Sequence, residues 1–207
     1  MIDFLFLDKD LCYGCKKNKA IKYKLCDQCL DKFDYVANEF MVGDNPCYSI
    51  YFYNDFMKTL IGSYKFQRNT SLYEVFAKMF IDFIRDKNLV DFDYILGSPS
   101  SIKTYNKRGF DHIGIIVEEL GKELGIEVLK DFKKVKNTKS QHLLDRFSRS
   151  KNLRGAFRIN KDLKASRILL IDDLITTGNT VKEIIKVLKE AGAKEVISIA
   201  LASERSI

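Results

Sequence analysis

The stretch that most constrains this chain runs from Arg167 to Ala191, RILLIDDLITTGNTVKEIIKVLKEA. Ile168, Leu169, Leu170 and Ile171 form an unbroken apolar run, which suits a strand covered on both faces of a parallel sheet, since a half-exposed strand would alternate. Asp172 and Asp173 end the run, and two adjacent carboxylates are costly to bury unpaired, so they are expected at the strand's mouth. Thr176, Thr177, Gly178, Asn179 and Thr180 follow as a small, hydroxyl-rich loop. Val181, Ile184, Ile185 and Leu188 then fall at i, i+3, i+4 and i+7, the apolar face of a helix of about three turns.

A strand, an acidic pair, a small polar loop and a helix N-terminus together make a phosphate-binding corner, because the first amides of a helix and its dipole attract an anion. Carboxylates would repel the phosphate itself and suit a sugar diol or a Mg²⁺-bound group, so a phosphorylated sugar fits both halves. The stretch has neither the GxxxxGK[ST] of a Walker A loop nor GxGxxG. The alternative is a buried strand and capped helix in another doubly wound domain with the acids merely solvated; it leaves the threonine-glycine loop unexplained.

Four apolar residues, Asp-Asp, two apolar residues and Thr-Thr-Gly-x-Thr, from Ile168 to Thr180, resemble the phosphoribosyl pyrophosphate (PRPP) motif of type I phosphoribosyltransferases. The resemblance implies an α/β, type I phosphoribosyltransferase fold with a doubly wound, mainly parallel sheet. It assigns Asp172 and Asp173, as catalytic residues, to the ribose 2′ and 3′ hydroxyls, and Thr176, Thr177, Gly178, Asn179 and Thr180 to the 5′-phosphate. Mg²⁺ is implied between pyrophosphate and ribose.

With 207 residues and 46% hydrophobic content, the chain can build one sizeable core and a small accessory module. No apolar run approaches the roughly 20 residues that span a bilayer. The opening MIDFLFLDKD has acids and no basic n-region, so no signal peptide and a cytoplasmic location are expected. A net charge of +7 is enough to attract polyanions.

Cys12-Tyr-Gly-Cys15 and Cys26-Asp-Gln-Cys29 are two CxxC pairs, and four thiolates close a tetrahedral structural shell, with Zn²⁺ favoured over iron or two disulfides. Gly14 permits the tight turn between the first two thiols. A zinc ribbon is therefore expected over residues 1–35 and the main domain over residues 45–207, with Phe33 to Asn45 as a link. Lys16, Lys17, Lys19, Lys22 and Lys24 lie between the knuckles, as a nucleic-acid contact or as a solvated loop. Cys47 is left over and has no assigned role.

Tyr48 to Tyr53 reads as a strand, with a short helix starting at Phe56. Leu72 to Ile84 and Ile113 to Leu124 are amphipathic helices; Asp93 to Gly97 and Val196 to Leu201 are strands. Ser98, Ser100 and Ser101 follow at a strand mouth, where doubly wound sheets bind ligands.

The four-cysteine ribbon, Tyr64-Lys65-Phe66, Lys107-Arg108-Gly109-Phe110-Asp111, and the series Lys133, Lys134, Lys136, Thr138, Gln141, Arg146, Arg149, Asn152 and Gly155-Ala156-Phe157 resemble the ComF competence family. That family consists of phosphoribosyltransferase-like proteins with such a ribbon, and its setting is DNA uptake in natural transformation. The resemblance points Lys65, Ser98, Ser100, Lys107 and Arg108 at the pyrophosphate, with Lys103 as a further cation. The polar segment from Phe132 to Phe157 reads as a lid, a nucleic-acid contact, or both, and His142 within it is a candidate acid or base. A second expectation keeps the fold without turnover: a single-stranded DNA-binding competence factor that acts with other competence proteins, takes PRPP or a nucleotide as regulatory ligand, and stacks bases on Phe132 and Phe147.

Overall fold

The computed structural model describes residues 10–67, 69–136 and 153–204. In chain order the elements are α1 (Asp27–Leu30), β1 (Tyr35–Val42), β2 (Asn45–Phe52), α2 (Asp55–Phe66), α3 (Leu72–Asp86), β3 (Tyr94–Gly97) and α4 (Ile102–Arg108). There follow α5 (His112–Leu124), β4 (Glu127–Val128), β5 (Phe132–Lys134), β6 (Phe157–Ile159), β7 (Arg167–Ile175), α6 (Asn179–Glu190) and β8 (Glu195–Ser203).

Six strands form one sheet in the order β1-β2-β8-β7-β3-β4, parallel throughout except for the antiparallel edge strand β1. This is the doubly wound α/β architecture that the alternation of apolar strands and amphipathic helices predicts. The unbroken apolar run becomes β7, whose residues alternate between two cores: Leu169 and Ile171 pack with α2, α3 and α5, Ile168 and Leu170 with α6. From β3 the chain winds outward to β4, and from β7 it winds the other way to β8, so the switch point lies between β3 and β7. Open α/β sheets bind ligands outside the strand ends at that point.

Two boundaries differ from the expectation. The segment Phe33 to Asn45 is not a plain link: it carries β1 and the start of β2. A register irregularity between Tyr35 and Asn38, with Ala37 at φ 45°, is a bulge that breaks the period-two pattern by which the strand would be recognised. The other difference is in β7, which runs past the acidic pair to Ile175, because Asp172, Leu174 and Ile175 continue the ladder with Ala200, Ala202 and Ser203.

The cysteine-rich segment packs onto the main core. Cys12, Tyr13, Leu25, Cys26 and Cys29 share one buried cluster with Tyr64, Phe76 and Phe80, and the Tyr23 hydroxyl donates to Asp82 Oδ2 on α3 at 2.5 Å. A hydrogen bond to a charged group contributes about 1.5–3 kcal/mol. Tyr23→Phe is expected to lower Tm by several degrees with the cysteine site intact, as read by scanning calorimetry and metal content; an unchanged Tm would show that this contact does not anchor the segment.

Candidate functional site

The loops after β3 and β7 meet because β3 ends opposite β7: Gly97 pairs with Ile171, and the next amide, of Ser98, donates to the Ile171 carbonyl at 2.8 Å. Ser101 then caps α4 by accepting from the Thr104 amide, and Asp111 caps α5 by accepting from the Gly114 amide. The helix that follows β7 differs. Its N-cap is Gly178, at φ 77°, a left-handed conformation open to glycine at little cost, and no side chain caps it. The N-terminus of α6 therefore carries no side-chain cap, in the loop that holds Thr176, Thr177, Gly178, Asn179 and Thr180, and its dipole favours an anion there.

Successive residues on a strand point to opposite faces. Asp173 turns toward α2 and α5, where it is only 6% exposed. Its Oδ2 pairs with Lys65 Nζ from the last turn of α2 and lies 3.4 Å from His112 Nε2 at the start of α5. Burial pushes this carboxyl's pKa up, but Lys65 and His112 outweigh burial and hold it below the usual carboxylate range. Asp172 turns the other way, toward Lys134 on β5, and its Oδ1 accepts from the Asp173 amide at 2.9 Å. Burial and the Asp173 charge push its pKa up to about 7. Burial also lowers the Lys134 ammonium, against the pull of Asp172.

Arg108 completes the cluster. Its Nη1 lies 2.8 and 3.1 Å from the two ring nitrogens of His112 and 3.4 Å from Ser100 Oγ, and its guanidinium sits 5.3 Å from the centre of the Phe66 ring. Its buried Nε has no hydrogen-bond partner, and no carboxylate pairs with it among the described residues. Asp173 and Asp111 act on this half-buried cation only from beyond ion-pair distance, which leaves room for an anionic ligand. Burial lowers the His112 pKa against the pull of Asp173, and Tyr64 Oη donates to the His112 carbonyl at 2.5 Å.

Of the residues expected at the pyrophosphate, the structure brings Lys65, Ser98, Ser100 and Arg108 to this corner; Lys65 reaches it as the partner of Asp173. Lys107 and Lys103 lie on the exposed side of α4, and no ion pair ties either to the cluster among the described residues. Sequence reasoning missed His112 as a site residue, and it named Lys134 only within the basic series, not as the neighbour of Asp172. His112 follows the capping Asp111 directly after Arg108-Gly109-Phe110, which was the signal available.

Phe132, expected to stack on bases, is instead buried and stacked on Phe157, because β5 and β6 close a small antiparallel ribbon over the α6 side of the core. Thr138, Gln141, His142, Arg146, Phe147, Arg149 and Asn152 lie outside the described residues. A cleft of about 590 Å³ beside Ser98, Pro99, Ile115 and Phe132 opens on the β4 side of the loop, and neither Asp172 nor Asp173 lines it.

The four cysteines Cys12, Cys15, Cys26 and Cys29 converge, with all Sγ atoms within 4.8 Å of one another. Four sulfurs at about 2.3 Å around a tetrahedral ion stand about 3.8 Å apart, and the Cys15 and Cys26 sulfurs are 3.8 Å apart, so the set fits a metal. Asn18 Nδ2 at 3.7 Å from Cys26 Sγ and the Cys15 amide at 3.5 Å from Cys12 Sγ orient the sulfurs. A Cβ at Gly14 would stand 3.2 Å from Cys29 Sγ, tight enough to disturb the set.

The raised pKa of Asp172 has a signed consequence. From its ordinary 3.8 up to about 7 the folded state binds a proton that the unfolded state has released, so the contribution of Asp172 to stability falls as pH rises through that window. Asp172→Asn is expected to raise Tm by a few degrees at pH 8 and by less at pH 5. Calorimetry at both values checks it; an equal difference at both contradicts it.

Residues 102–206 match the family described as Phosphoribosyl transferase domain. Competence protein F of Haemophilus influenzae is 27% identical over 201 residues, covering 90% of this chain and 87% of the relative. DNA utilization protein YhgH of Escherichia coli K12 is 26% identical over 194 residues, covering 91% and 82%. Competence protein ComFC of Streptococcus pneumoniae is 32% identical over 162 residues, covering 74% and 66%. Among the described residues no helix is long and apolar enough to cross a membrane.

Proposed function

Because the chain belongs to the phosphoribosyl transferase domain family, we propose that the corner between β3 and β7 binds PRPP with Mg²⁺ and acts as a cytoplasmic phosphoribosyltransferase in DNA uptake or utilisation. The observation that carries this reading is the placement, at one switch point, of an acidic pair, an uncapped helix N-terminus and a cation without a carboxylate partner. Those are a diol site, a phosphate site and a diphosphate site. The setting follows from the names of the relatives, competence and DNA utilization proteins.

The amides from Thr176 to Thr180 hold the 5′-phosphate, and Asp172 and Asp173 accept from the ribose hydroxyls. Arg108, Ser98 and Ser100 take the diphosphate. Among the described residues the acidic pair is not part of a three-ligand metal cluster, so Mg²⁺ would be held by Asp172 and Asp173 together with the diphosphate, whose charge it neutralises when bound. In transfer, the bond from C1′ to the diphosphate oxygen breaks, its electron pair leaves with pyrophosphate, and an acceptor attacks C1′. The two carboxylates orient the ribose and offset the positive charge that develops on it. Cys12, Cys15, Cys26 and Cys29 hold Zn²⁺ as a structural ion.

A ligand that binds only the folded state stabilises by about 2.7 kcal/mol at one hundred times its Kd, a Tm rise of roughly 5–10 °C for a chain of this size. PRPP with Mg²⁺ is expected to produce such a rise in the wild type and little in Asp173→Asn. No rise at millimolar PRPP would overturn the reading.

A second reading, nucleic-acid binding without turnover, rests on Lys16, Lys17, Lys19 and Lys22, all exposed between the cysteine pairs with no carboxylate partner among the described residues. It also assigns further competence proteins as partners. Under it, single-stranded DNA affinity falls steeply with salt and falls again when these lysines become alanine; affinity that is insensitive to both removes it.

A further inference from the structure

We propose that Lys65 is the specificity-determining residue of this site. The ammonium that now holds Asp173 passes to an incoming diphosphate, so the site selects ribose 5-phosphates that carry a diphosphate at C1 over ribose 5-phosphate itself. The inference rests on the PRPP reading and deepens it.

Three observations carry it. The first is that the diol and Lys65 need the same group: Lys65 Nζ and His112 Nε2 both engage Asp173 Oδ2, and Asp173 is buried. A carboxylate offers about four acceptor positions, so His112 can stay while the ribose hydroxyls take the place of the ammonium.

The second is that Lys65 is largely shielded beside the buried Asp173, their side chains 15% and 9% exposed, so an ammonium leaving Asp173 gains little water and favours another anion nearby. Arg108 supplies the place for that anion. It contacts the same His112 ring that contacts Asp173, has no carboxylate partner among the described residues, and keeps a buried Nε without a hydrogen bond. A diphosphate seated on Arg108 therefore arrives beside Lys65.

The third is a difference in freedom. Arg108 is fixed by the Phe66 ring, Ser100 and His112, whereas Lys65 is a point charge on a flexible stem at the end of α2, with Asp173 as its described ion-pair partner. Of the two cations, Lys65 can swing. Ribose 5-phosphate brings its charge to the N-terminus of α6, on the other side of the ribose, and offers Lys65 nothing in exchange for Asp173.

The test measures the affinities of wild type and Lys65→Gln for PRPP with Mg²⁺ and for ribose 5-phosphate by isothermal titration calorimetry. Glutamine keeps a donor but is shorter and uncharged. The expected result is a crossover: PRPP binds at least tenfold more weakly to the variant, and ribose 5-phosphate at least threefold more tightly. Ribose 5-phosphate binding that is unchanged or weaker, with PRPP still bound by the wild type, overturns the exchange and leaves the PRPP reading standing. Absence of PRPP binding by the wild type overturns both.

If Lys65→Gln does not fold, the exchange is read from the other partner. Asp173→Asn frees the ammonium, so inorganic pyrophosphate should bind at least threefold more tightly than to the wild type, even though PRPP binds more weakly. Unchanged or weaker pyrophosphate binding overturns the proposal.

Discussion

Asp173 is a carboxylate almost closed off from water, and it stays charged because Lys65 from α2 and His112 from α5 meet on one of its oxygens. Taking one partner from a buried pair costs about 3–5 kcal/mol, since the remaining charge is left uncompensated. Three elements are thereby tied to the end of β7: α2 through Lys65, α5 through His112, and α4 through Arg108 on the His112 ring. This cluster fixes the side chains at the corner between β3 and β7, while the apolar packing below it fixes where the strand ends fall. Asp172 carries the opposite character. Its raised pKa marks a charge that the fold tolerates at some cost, as expected of a group placed for a ligand.

The cysteine-rich segment belongs to the same mechanical unit. It shares a buried cluster with α2 and α3, and α2 delivers Lys65 to the site. A metal held by the four cysteines would therefore brace the packing behind α2 as well as the cysteine loop. That coupling gives the segment a structural use even if its lysines contact nothing.

Much of this was legible where the signal is local. Ile168 to Thr180 carries its strand, acids, loop and helix start in thirteen consecutive residues, and the two CxxC pairs announce four converging thiols. What escaped was tertiary. His112 and Lys134 are 61 and 38 residues from Asp173 and Asp172, and only the crossing of α5 and β5 over β7 brings them close. Strand β1 was hidden by its bulge at Ala37. Phe132 was misjudged because a basic neighbourhood masked an apolar position that pairs with Phe157 across a short ribbon. The acids were expected at the strand's mouth because an unpaired buried carboxylate is costly; pairing with Lys65, set by α2, is what permits β7 to run on past them with Asp173 buried.

The most direct measurement is a crystal structure of the full chain grown with PRPP and Mg²⁺. The account predicts the 5′-phosphate on the amides from Thr176 to Thr180, the ribose hydroxyls on Asp172 and Asp173, and the diphosphate on Arg108 with Lys65 turned onto it. PRPP bound elsewhere, or bound here with Lys65 still on Asp173, would contradict it.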